Sequence, residues 1–331
     1  MEAGVQNGID MSKNNIFLKQ AGIKHPIICG PMYPCSNPEL IAATSNAGAM
    51  GVIQPISLTY VHGYEFTSGI DYIKSLTDKP FGMNLLIEKG SKKYRQRMEY
   101  WLETALEMGV RFFITSLGKP DWVVEMAHKA GAYVYHDVTE AKWAQKAVDV
   151  GVDGLIAVNN RAGGHAGSQH HDKLLEQLKP FNLPIVCAGG IGDADAYHHA
   201  LNNGYQAVQM GTRFIATKEC SANISYKQAI INSNEADIVL SERITGVPVS
   251  VINTPYIRSR GLKPNALERW MLNHANLKYI MRTILALKSL RSLKKSLLDK
   301  SGEVDFWQAG KSVETINSIL SVEEIIDEFT S

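Results

Sequence analysis

Eight short apolar runs along the first two thirds of the chain most constrain the fold. Each run is rich in Val, Ile, Leu and aromatic residues and carries little charge, as expected for strands that are buried on both faces. Amphipathic stretches separate the runs, and this alternation predicts βαβ units with a parallel sheet. We predict strands at residues 26–30, 51–53, 81–87, 111–117, 132–138, 154–159, 184–189 and 207–211.

The amphipathic stretches between these runs predict the helices. Several of them end in Gly, which favours the left-handed conformation that commonly follows a helix. Strand–helix units within residues 26 to about 220 predict an α/β fold of the (β/α)8 TIM-barrel type. A doubly wound Rossmann sheet is the competing fold, but "CGPMYPCSNP" after the first strand lacks the G-x-G-x-x-G pattern. The predicted helices span residues 38–48, 94–109, 121–131, 140–151, 172–181 and 193–204.

The remaining segments predict four parts of unequal size. Residues 1–15 are expected to form a flexible N-terminus, 16–255 the TIM barrel, 256–305 a helical insertion or lid, and 306–331 a C-terminal segment and helix that pack on the barrel. Residues 277–300 place an apolar stripe at helical spacing with basic residues around it, which is typical of a packed helix with a solvated face. A membrane surface or an acidic partner is the alternative contact for that basic face. The stripe contains Leu277, Ile280, Met281, Ile284 and Leu285, and the basic residues are Lys278, Arg282, Lys288, Arg291, Lys294 and Lys295.

Composition argues against several classes of partner. Lys and Arg total 34 against 33 Asp and Glu, so no global field attracts nucleic acid or an anionic membrane. No apolar run reaches the length of a membrane span, and the cysteines lack metal-site spacing. We therefore expect a cytoplasmic protein without metal. A metal site at His170, His171 and Asp172 is rejected, because adjacent residues at a helix start are expected to point to different sides.

Barrel enzymes bind ligands on the loops that follow their strands, often with phosphate after strands 7 and 8. Strand 7 is followed by Gly189 and Gly190 and a helix start, and strand 8 by Gly211 and Thr212. Bare backbone N–H groups there can approach an anion, so these loops predict a phosphate site. The alternative is that Gly189 and Gly190 serve only a tight turn.

Other strand ends carry unusual residues. Pro31 has no N–H group, so a flat ring can lie against its segment without leaving a donor unpaired. Asn84 is an amide among apolar neighbours and needs partners. His136 ends strand 5, and His165 follows strand 6 in "NNRAGGHAGS". The glycines at 163, 164 and 167 would leave space for a substrate beside His165, although a histidine that merely fills a turn is the alternative.

Together these segments resemble a known family. "HPIICGPM", "PELIAATSNAGAMGVI", "GMNLL", "GVDGLIAVNNRAGGHAG", "PIVCAGGIGD" and "QMGTRFIATKE" are similar, in that order, to the FMN-dependent nitronate monooxygenases, formerly called 2-nitropropane dioxygenases. The resemblance covers roughly residues 25–255. Flavin-dependent enoyl-acyl-carrier-protein reductases share much of the pattern. The resemblance therefore indicates the cofactor more sharply than the reaction.

The resemblance implies a role for each matching residue. His165 corresponds to the active-site histidine, and Val158 and Arg161 depart from the pattern, since relatives commonly carry Gln or Asp and an acidic or small residue there. If Val158 cannot contact the flavin, backbone groups, Asn159 or Asn160 must supply that contact. The implied cofactor contacts are Gly30, Pro31 and Met32 along the flavin ring, Asn84 near the ring or ribityl chain, Gly163 and Gly164 beside it, Gly189, Gly190, Gln209, Met210, Gly211 and Thr212 at the phosphate, and His136 as a looser match.

Three functions stay open from the sequence. The first is an FMN enzyme that converts an alkyl nitronate and O₂ to a carbonyl compound and nitrite. The second is an FMN-dependent reductase of enoyl thioesters that uses NAD(P)H, and the third is a flavin-binding barrel without catalysis. We expect a small-molecule substrate and no nucleic acid, and a homodimer is the candidate assembly. Segments 55–80 and 245–275 are expected to form the pocket walls.

Overall fold

A computed structural model describes residues 15–88, 92–243, 246–274 and 306–331, with further positions at 277, 281, 284, 285, 288, 291–295 and 297. Eight parallel strands close into a barrel in the order β1 to β8, and helices alternate with them. This confirms the TIM barrel, and every predicted strand lies within one residue of an observed one at each end. The strands are β1 Ile27–Cys29, β2 Met50–Ile53, β3 Phe81–Ile87, β4 Phe112–Leu117, β5 Tyr133–Val138, β6 Gly154–Val158, β7 Ile185–Ala188 and β8 Ala207–Met210.

The predicted helices correspond to α2 and α4 to α8, whereas α3 lies within residues 55–80, where a pocket wall and no helix was predicted. Its buried residues Phe66, Gly69, Ile70 and Ile73 have helical spacing, but Gly69 interrupts the apolar stripe. A Cβ on Gly69 would lie 2.8 Å from Leu58, so close packing explains the glycine. The helices are α1 Ile16–Ala21, α2 Pro38–Asn46, α3 Phe66–Leu76, α4 Lys92–Glu107, α5 Asp121–Lys129, α6 Ala141–Val148, α7 His171–Leu178, α8 Ala194–Asn202, α9 Thr212–Ile215, α10 Ile224–Ile231, α11 Pro255–Arg260, α12 Ala266–Asn273 and α13 Val322–Thr330.

Alternate strand residues form two separate cores. One set packs against the surrounding helices, and the other fills the barrel interior, including Phe112 and Tyr135. Helix α1 inserts Phe17 into this interior, with ring centroids 5.8 Å from Phe112 and 5.7 Å from Tyr135. Asn15 beside α1 donates to the carbonyl of Gln206, just before β8 begins. Helix α1 therefore covers the amino-terminal end of the barrel, and the opposite end is available for a ligand.

A hairpin that the sequence did not predict follows the barrel. Strands β9 (Ile238–Ser241) and β10 (Val249–Ile252) pair antiparallel. The Ser250 N–H donates to the Gly164 carbonyl at 2.7 Å, and the Ile252 N–H donates to the Trp307 carbonyl at 3.0 Å. Because β10 contacts both segments, it connects the loop after β6 to the C-terminal part of the chain.

The predicted basic helix is described only in part. Met281 and Leu285 are buried as the apolar stripe requires, while Ile284 is 38% exposed. Ile280, Lys278 and Arg282 lie outside the described residues. Lys294 Nζ donates to the Tyr60 carbonyl at 2.6 Å, so this lysine contacts the barrel and does not belong to the predicted solvated face. Within the described residues, no helix has the length and apolar character that crossing a bilayer requires.

Candidate active site

A cavity of about 600 Å³ lies at the carboxyl-terminal end of the barrel. All fourteen residues predicted for catalysis or cofactor binding line it, from Gly30 on the first strand end to Thr212 after the last. The expected walls were largely wrong. Ile56 is the one lining residue from the described part of 55–80, and none of the described residues 246–274 lines the cavity. Leu293, Gln308 and Ser312 contribute instead.

The cavity floor is built by the alternation of strand residues. Because Ile114, Tyr135 and Ile156 point into the barrel, the residues two positions further along these strands point inward as well. This places a polar arc on strands β3 to β5 opposite smaller or apolar residues on β6 and β7. The inward-facing residues of the floor are Gly30, Gln54, Asn84, Ser116, Asp137, Val158, Ala188 and Gln209.

Asn84, Ser116 and Asp137 form a chain of hydrogen bonds across three neighbouring strands. Asn84 Nδ2 donates to the Ile114 carbonyl at 3.2 Å and lies 3.4 Å from Ser116 Oγ. Ser116 Oγ donates to Asp137 Oδ2 at 2.6 Å. Burial raises the pKa of Asp137 to about 6, because desolvation outweighs the bond from Ser116. The floor therefore carries a carboxyl group that titrates near neutral pH.

His136 borders the cavity but faces the other side of β5. Its neighbours Val134 and Val138 belong to the core between strands and helices, and the His136 side chain is buried there. Nδ1 lies 2.8 Å from Thr115 Oγ1, and burial lowers the pKa of the imidazole to about 4. The ring is therefore neutral at pH 7. Its inward neighbour Asp137 was missed: the strand period in "YVYHDV" places the two residues on opposite faces, and the packing of Tyr135 shows which face is inward.

The loop after β7 requires its glycines. Gly189 and Gly190 have φ angles of +117° and +85°. A Cβ on Gly189 would lie 2.5 Å from Asn159 Oδ1 and 2.6 Å from the Ala162 nitrogen. The glycines therefore permit the close packing of a tight turn. Their backbone also lines the cavity beside Gly211 and Thr212, so a role in the turn is compatible with the predicted phosphate site.

The loop after β6 packs between β10 and the C-terminal segment. A Cβ on Gly163 would lie 2.9 Å from the Gly310 nitrogen, and one on Gly167 would lie 2.3 Å from the Val158 carbonyl. The Gly310 N–H donates to Thr212 Oγ1 at 2.9 Å. Residue 167 does not line the cavity, so the expectation that its glycine leaves space for substrate is wrong. No local pattern indicated residues 308–312, because their contacts join segments about a hundred positions apart.

His165 projects from this loop into the cavity. Its side chain is solvent-accessible, and no hydrogen bond between described residues uses its ring. The surrounding walls lower its pKa by desolvation, so the neutral imidazole prevails at pH 7. A histidine that merely fills a turn would be expected to form bonds within the turn. The ring is instead available to a ligand.

Asn159 does not replace the polar contact that Val158 lacks. It is fully buried, donates from Nδ2 to the Gly189 carbonyl at 2.9 Å and accepts from the Arg161 N–H at 2.8 Å. Asn160 is exposed and does not line the cavity. Arg161 does, with its guanidinium 2.7 Å from Glu235. Asn159 therefore connects the loops after β6 and β7, and the Arg161 guanidinium lies at the edge of the cavity.

The residues present fit a flavin mononucleotide. The cavity volume lies within the range of small-ligand sites. Gln209 Oε1 and Asp137 Oδ1 are both buried, and neither has a hydrogen-bond partner among the described residues. Buried polar atoms without partners are uncommon, so both are positioned to bond a ligand. Backbone N–H groups at one end and these side chains at the floor suit a phosphate and a polar heterocycle.

The residues His170, His171 and Asp172 lie closer than expected. One ligand atom from each lies within 4.8 Å of the others, so the geometric reason for rejecting a metal was wrong. His170 and Asp172 are exposed, and Asp172 also accepts from Asn203 at 3.0 Å. The absence of a metal stays a prediction.

Comparison with known proteins identifies the family. The family model described as nitronate monooxygenase matches residues 14–331. The chain is 31% identical, over 72% of its length and 65% of the relative, to a (3aS,4S,5R,7aS)-5-hydroxy-7a-methyl-1-oxo-octahydro-1H-indene-4-carboxyl-CoA dehydrogenase from Rhodococcus jostii. The chain thus spans about 65% of the length of that relative.

Two further similarities support the assignment. A probable nitronate monooxygenase from Staphylococcus saprophyticus is 28% identical over 71% of this chain and 77% of its own. The structure of FabK from Thermotoga maritima superposes with a TM-score of 0.78 at 26% identity, covering 95% of this chain and 94% of the other. The chain belongs to the nitronate monooxygenase family of oxidoreductases.

Proposed function

We propose that the protein is an FMN-dependent monooxygenase that converts alkyl nitronates and O₂ to carbonyl compounds and nitrite. The main support is that every residue assigned to the cofactor and to catalysis lines one cavity. The chain also matches the nitronate monooxygenase family. FMN, when bound, would supply the redox chemistry and the reaction with O₂. The protein's residues would bind it, orient the substrate and move a proton.

The two ends of the cavity suit the two ends of the cofactor. Backbone groups of Gly189, Gly190 and Gly211 would hold the phosphate, and Arg161, whose guanidinium is paired with Glu235, lies beside Gly190 at that end. The segment 30–32 would lie along the flavin ring, where Pro31 leaves no N–H without a partner. Gln209 Oε1, which lacks a partner among the described residues, would accept a hydrogen bond from the cofactor.

His165 would act as the proton acceptor. Because desolvation lowers its pKa, Nδ1 or Nε2 is free to take a proton from the carbon of a neutral nitroalkane at pH 7. The same neutral ring can donate one hydrogen bond to a nitronate oxygen. Electrostatic attraction of the anion by a charged imidazole would require a lower pH.

The decisive experiment mixes the purified flavoprotein with a nitronate in the absence of O₂. Bleaching of the flavin by the nitronate, with FMN released on denaturation, is the expected result. His165→Asn should retain FMN and lose most of the rate with the neutral nitroalkane, since Asn cannot accept the proton. Protein without flavin would refute the cofactor, and an unchanged rate in His165→Asn would refute the role of His165 as proton acceptor. Bound FMN that neither nitronate nor NAD(P)H bleaches would favour the non-catalytic alternative.

A second function is favoured by the Rhodococcus jostii relative, whose name specifies a carboxyl-CoA dehydrogenase. Under this alternative the protein would exchange electrons between NAD(P)H and a thioester substrate, as in the enoyl-thioester reductase that the sequence resemblance also allows. Bleaching by NAD(P)H and not by nitronate in the same experiment would support it. Both functions place a small molecule in the cavity.

We further propose a cytoplasmic location and a homodimer, and light scattering tests the assembly.

A further inference from the structure

Asp137 is a buried carboxyl group of the cavity floor, and its unpartnered oxygen can contact either the flavin ring or the substrate. Its side chain points inward from β5, since it shares the strand face of Tyr135, and it borders the cavity. Ser116 Oγ donates a hydrogen bond to one carboxyl oxygen, Oδ2, at 2.6 Å. The other, Oδ1, is shielded from water and receives no hydrogen bond from any described residue.

A carboxyl group held in this way has two states with opposite effects on a ligand. The protonated group donates a hydrogen bond, whereas the ionised group repels negative charge in a site where water screens little. No described cation pairs with it: Arg161, the cation that lines the cavity, is engaged with Glu235. The protonation of Asp137 therefore controls the local charge of the floor.

We propose that Asp137 is a specificity-determining residue of this cavity: its protonated carboxyl group donates to an anionic or strongly accepting oxygen or nitrogen of the ligand, and its ionised form excludes that group. This inference rests on the proposed function and extends it to the charge of the substrate. The ligand group belongs either to the substrate or to the flavin ring, and the experiment separates the two.

Several other groups can contribute to a pH dependence. Glu88, just after β3, is an exposed carboxylate at the same cavity, and His136 is a neutral neighbour on the opposite strand face. Desolvation lowers the pKa of His165, which lines the same cavity, so this imidazole gains charge only as pH falls below neutral. Burial places the titration of Asp137 near pH 6. The groups on the elements around Asp137 are Asn84 on β3, Glu88 just after it, Ser116 on β4, His136 on β5, Thr139 and Trp143 after it, Val158 on β6, and Arg161 and His165 on the following loop.

The test measures binding of nitrate to the flavin-loaded enzyme by calorimetry from pH 5 to pH 8. Nitrate is planar, resembles a nitronate in its N–O oxygens and stays ionised throughout. We expect the wild-type affinity to fall about tenfold to a hundredfold as pH rises, the effect of one charge a few ångströms away at intermediate dielectric. Asp137→Asn should bind nitrate with little pH dependence above pH 6 and more tightly than wild type at pH 8.

Two further variants keep the test independent of the folding of Asp137→Asn. Ser116→Ala removes the hydrogen bond that lowers the pKa of Asp137, so the inflection in affinity should move to higher pH. Glu88→Gln is the matched control, because it removes an exposed carboxylate from the same cavity and should leave the inflection in place.

The spectrum of bound FMN, recorded without nitrate over the same pH range, identifies the ligand group. A change near pH 6 that disappears in Asp137→Asn would assign the contact to the flavin ring, and a change in nitrate affinity alone would assign it to the substrate. Neither change in wild type, or the same inflections in Asp137→Asn, would overturn the inference. Failure to retain FMN would refute the proposed cofactor only, since calorimetry with nitrate can be repeated on the flavin-free protein.

Discussion

Replacing Gly189 by Ala tests whether the loop after β7 is shaped by packing as well as by ligand binding. Gly131 is the matched control, because it also has a positive φ, +68°, and a Cβ there would meet no atom within 4 Å. Gly131→Ala should therefore cost only the left-handed backbone strain, about 1 kcal/mol. At Gly189, with φ +117°, a backbone strain at least as large adds to Cβ distances of only 2.5 Å to Asn159 Oδ1 and 2.6 Å to the Ala162 nitrogen.

Relieving these overlaps must displace Asn159, a buried amide that bonds the Gly189 carbonyl and the Arg161 N–H. Losing such bonds in a buried site costs about 1–3 kcal/mol, and we expect Gly189→Ala to lower the free energy of unfolding by about 3–5 kcal/mol in total. Guanidinium unfolding followed by tryptophan fluorescence measures both variants, and retention of FMN should be lost only at Gly189. Equal costs at the two glycines would refute the packing argument.

Other expected outcomes concern neighbouring residues of β5. Folding lowers the pKa of His136 from 6.5 to about 4, so the free energy of unfolding should fall by up to about 3 kcal/mol as pH drops from 6.5 toward 4. His136→Gln should remove this pH dependence in urea unfolding, and an unchanged pH dependence would contradict it. Folding raises the pKa of Asp137 from 3.8 to about 6, so its contribution to stability falls as pH rises through that window, and Asp137→Asn should make unfolding midpoints increase more steeply with pH. Tyr135→Phe removes the bond from the Tyr135 hydroxyl to Gln20, 2.6 Å long, and should cost about 1 kcal/mol at all these pH values; a thermal midpoint equal to wild type would argue against it.

The barrel was predictable because each of its strands is buried on both faces. A continuous apolar run needs no knowledge of distant residues, and Gly109 and Gly131 mark helix ends through their positive φ angles. The site loops were predictable for a related reason: the carboxyl ends of all strands meet at one end of the barrel. Residues such as Gly30 and Thr212 could therefore be placed in one cavity from their positions after strands.

Features that depend on side-chain direction or distant contacts were harder to predict. The choice between His136 and Asp137 required the inward face of β5, which the packing of Tyr135 establishes. Hairpin β9–β10 consists of two four-residue strands, and Leu240 is 57% exposed, so its apolar pattern is weak.

The C-terminal segment explains why the loop glycines could be read in two ways. Gly163 packs against Gly310, whose N–H bonds Thr212, and the Lys311 N–H donates to the Arg161 carbonyl at 2.9 Å. The chain after residue 306 thus fixes the loops after β6 and β8 against each other. A glycine that permits this backbone contact also exposes N–H groups to the cavity, so packing and ligand binding impose the same requirement. A substitution separates the two causes only when its added atoms contact protein and not ligand, so the nearest protein atom decides what each glycine variant reports.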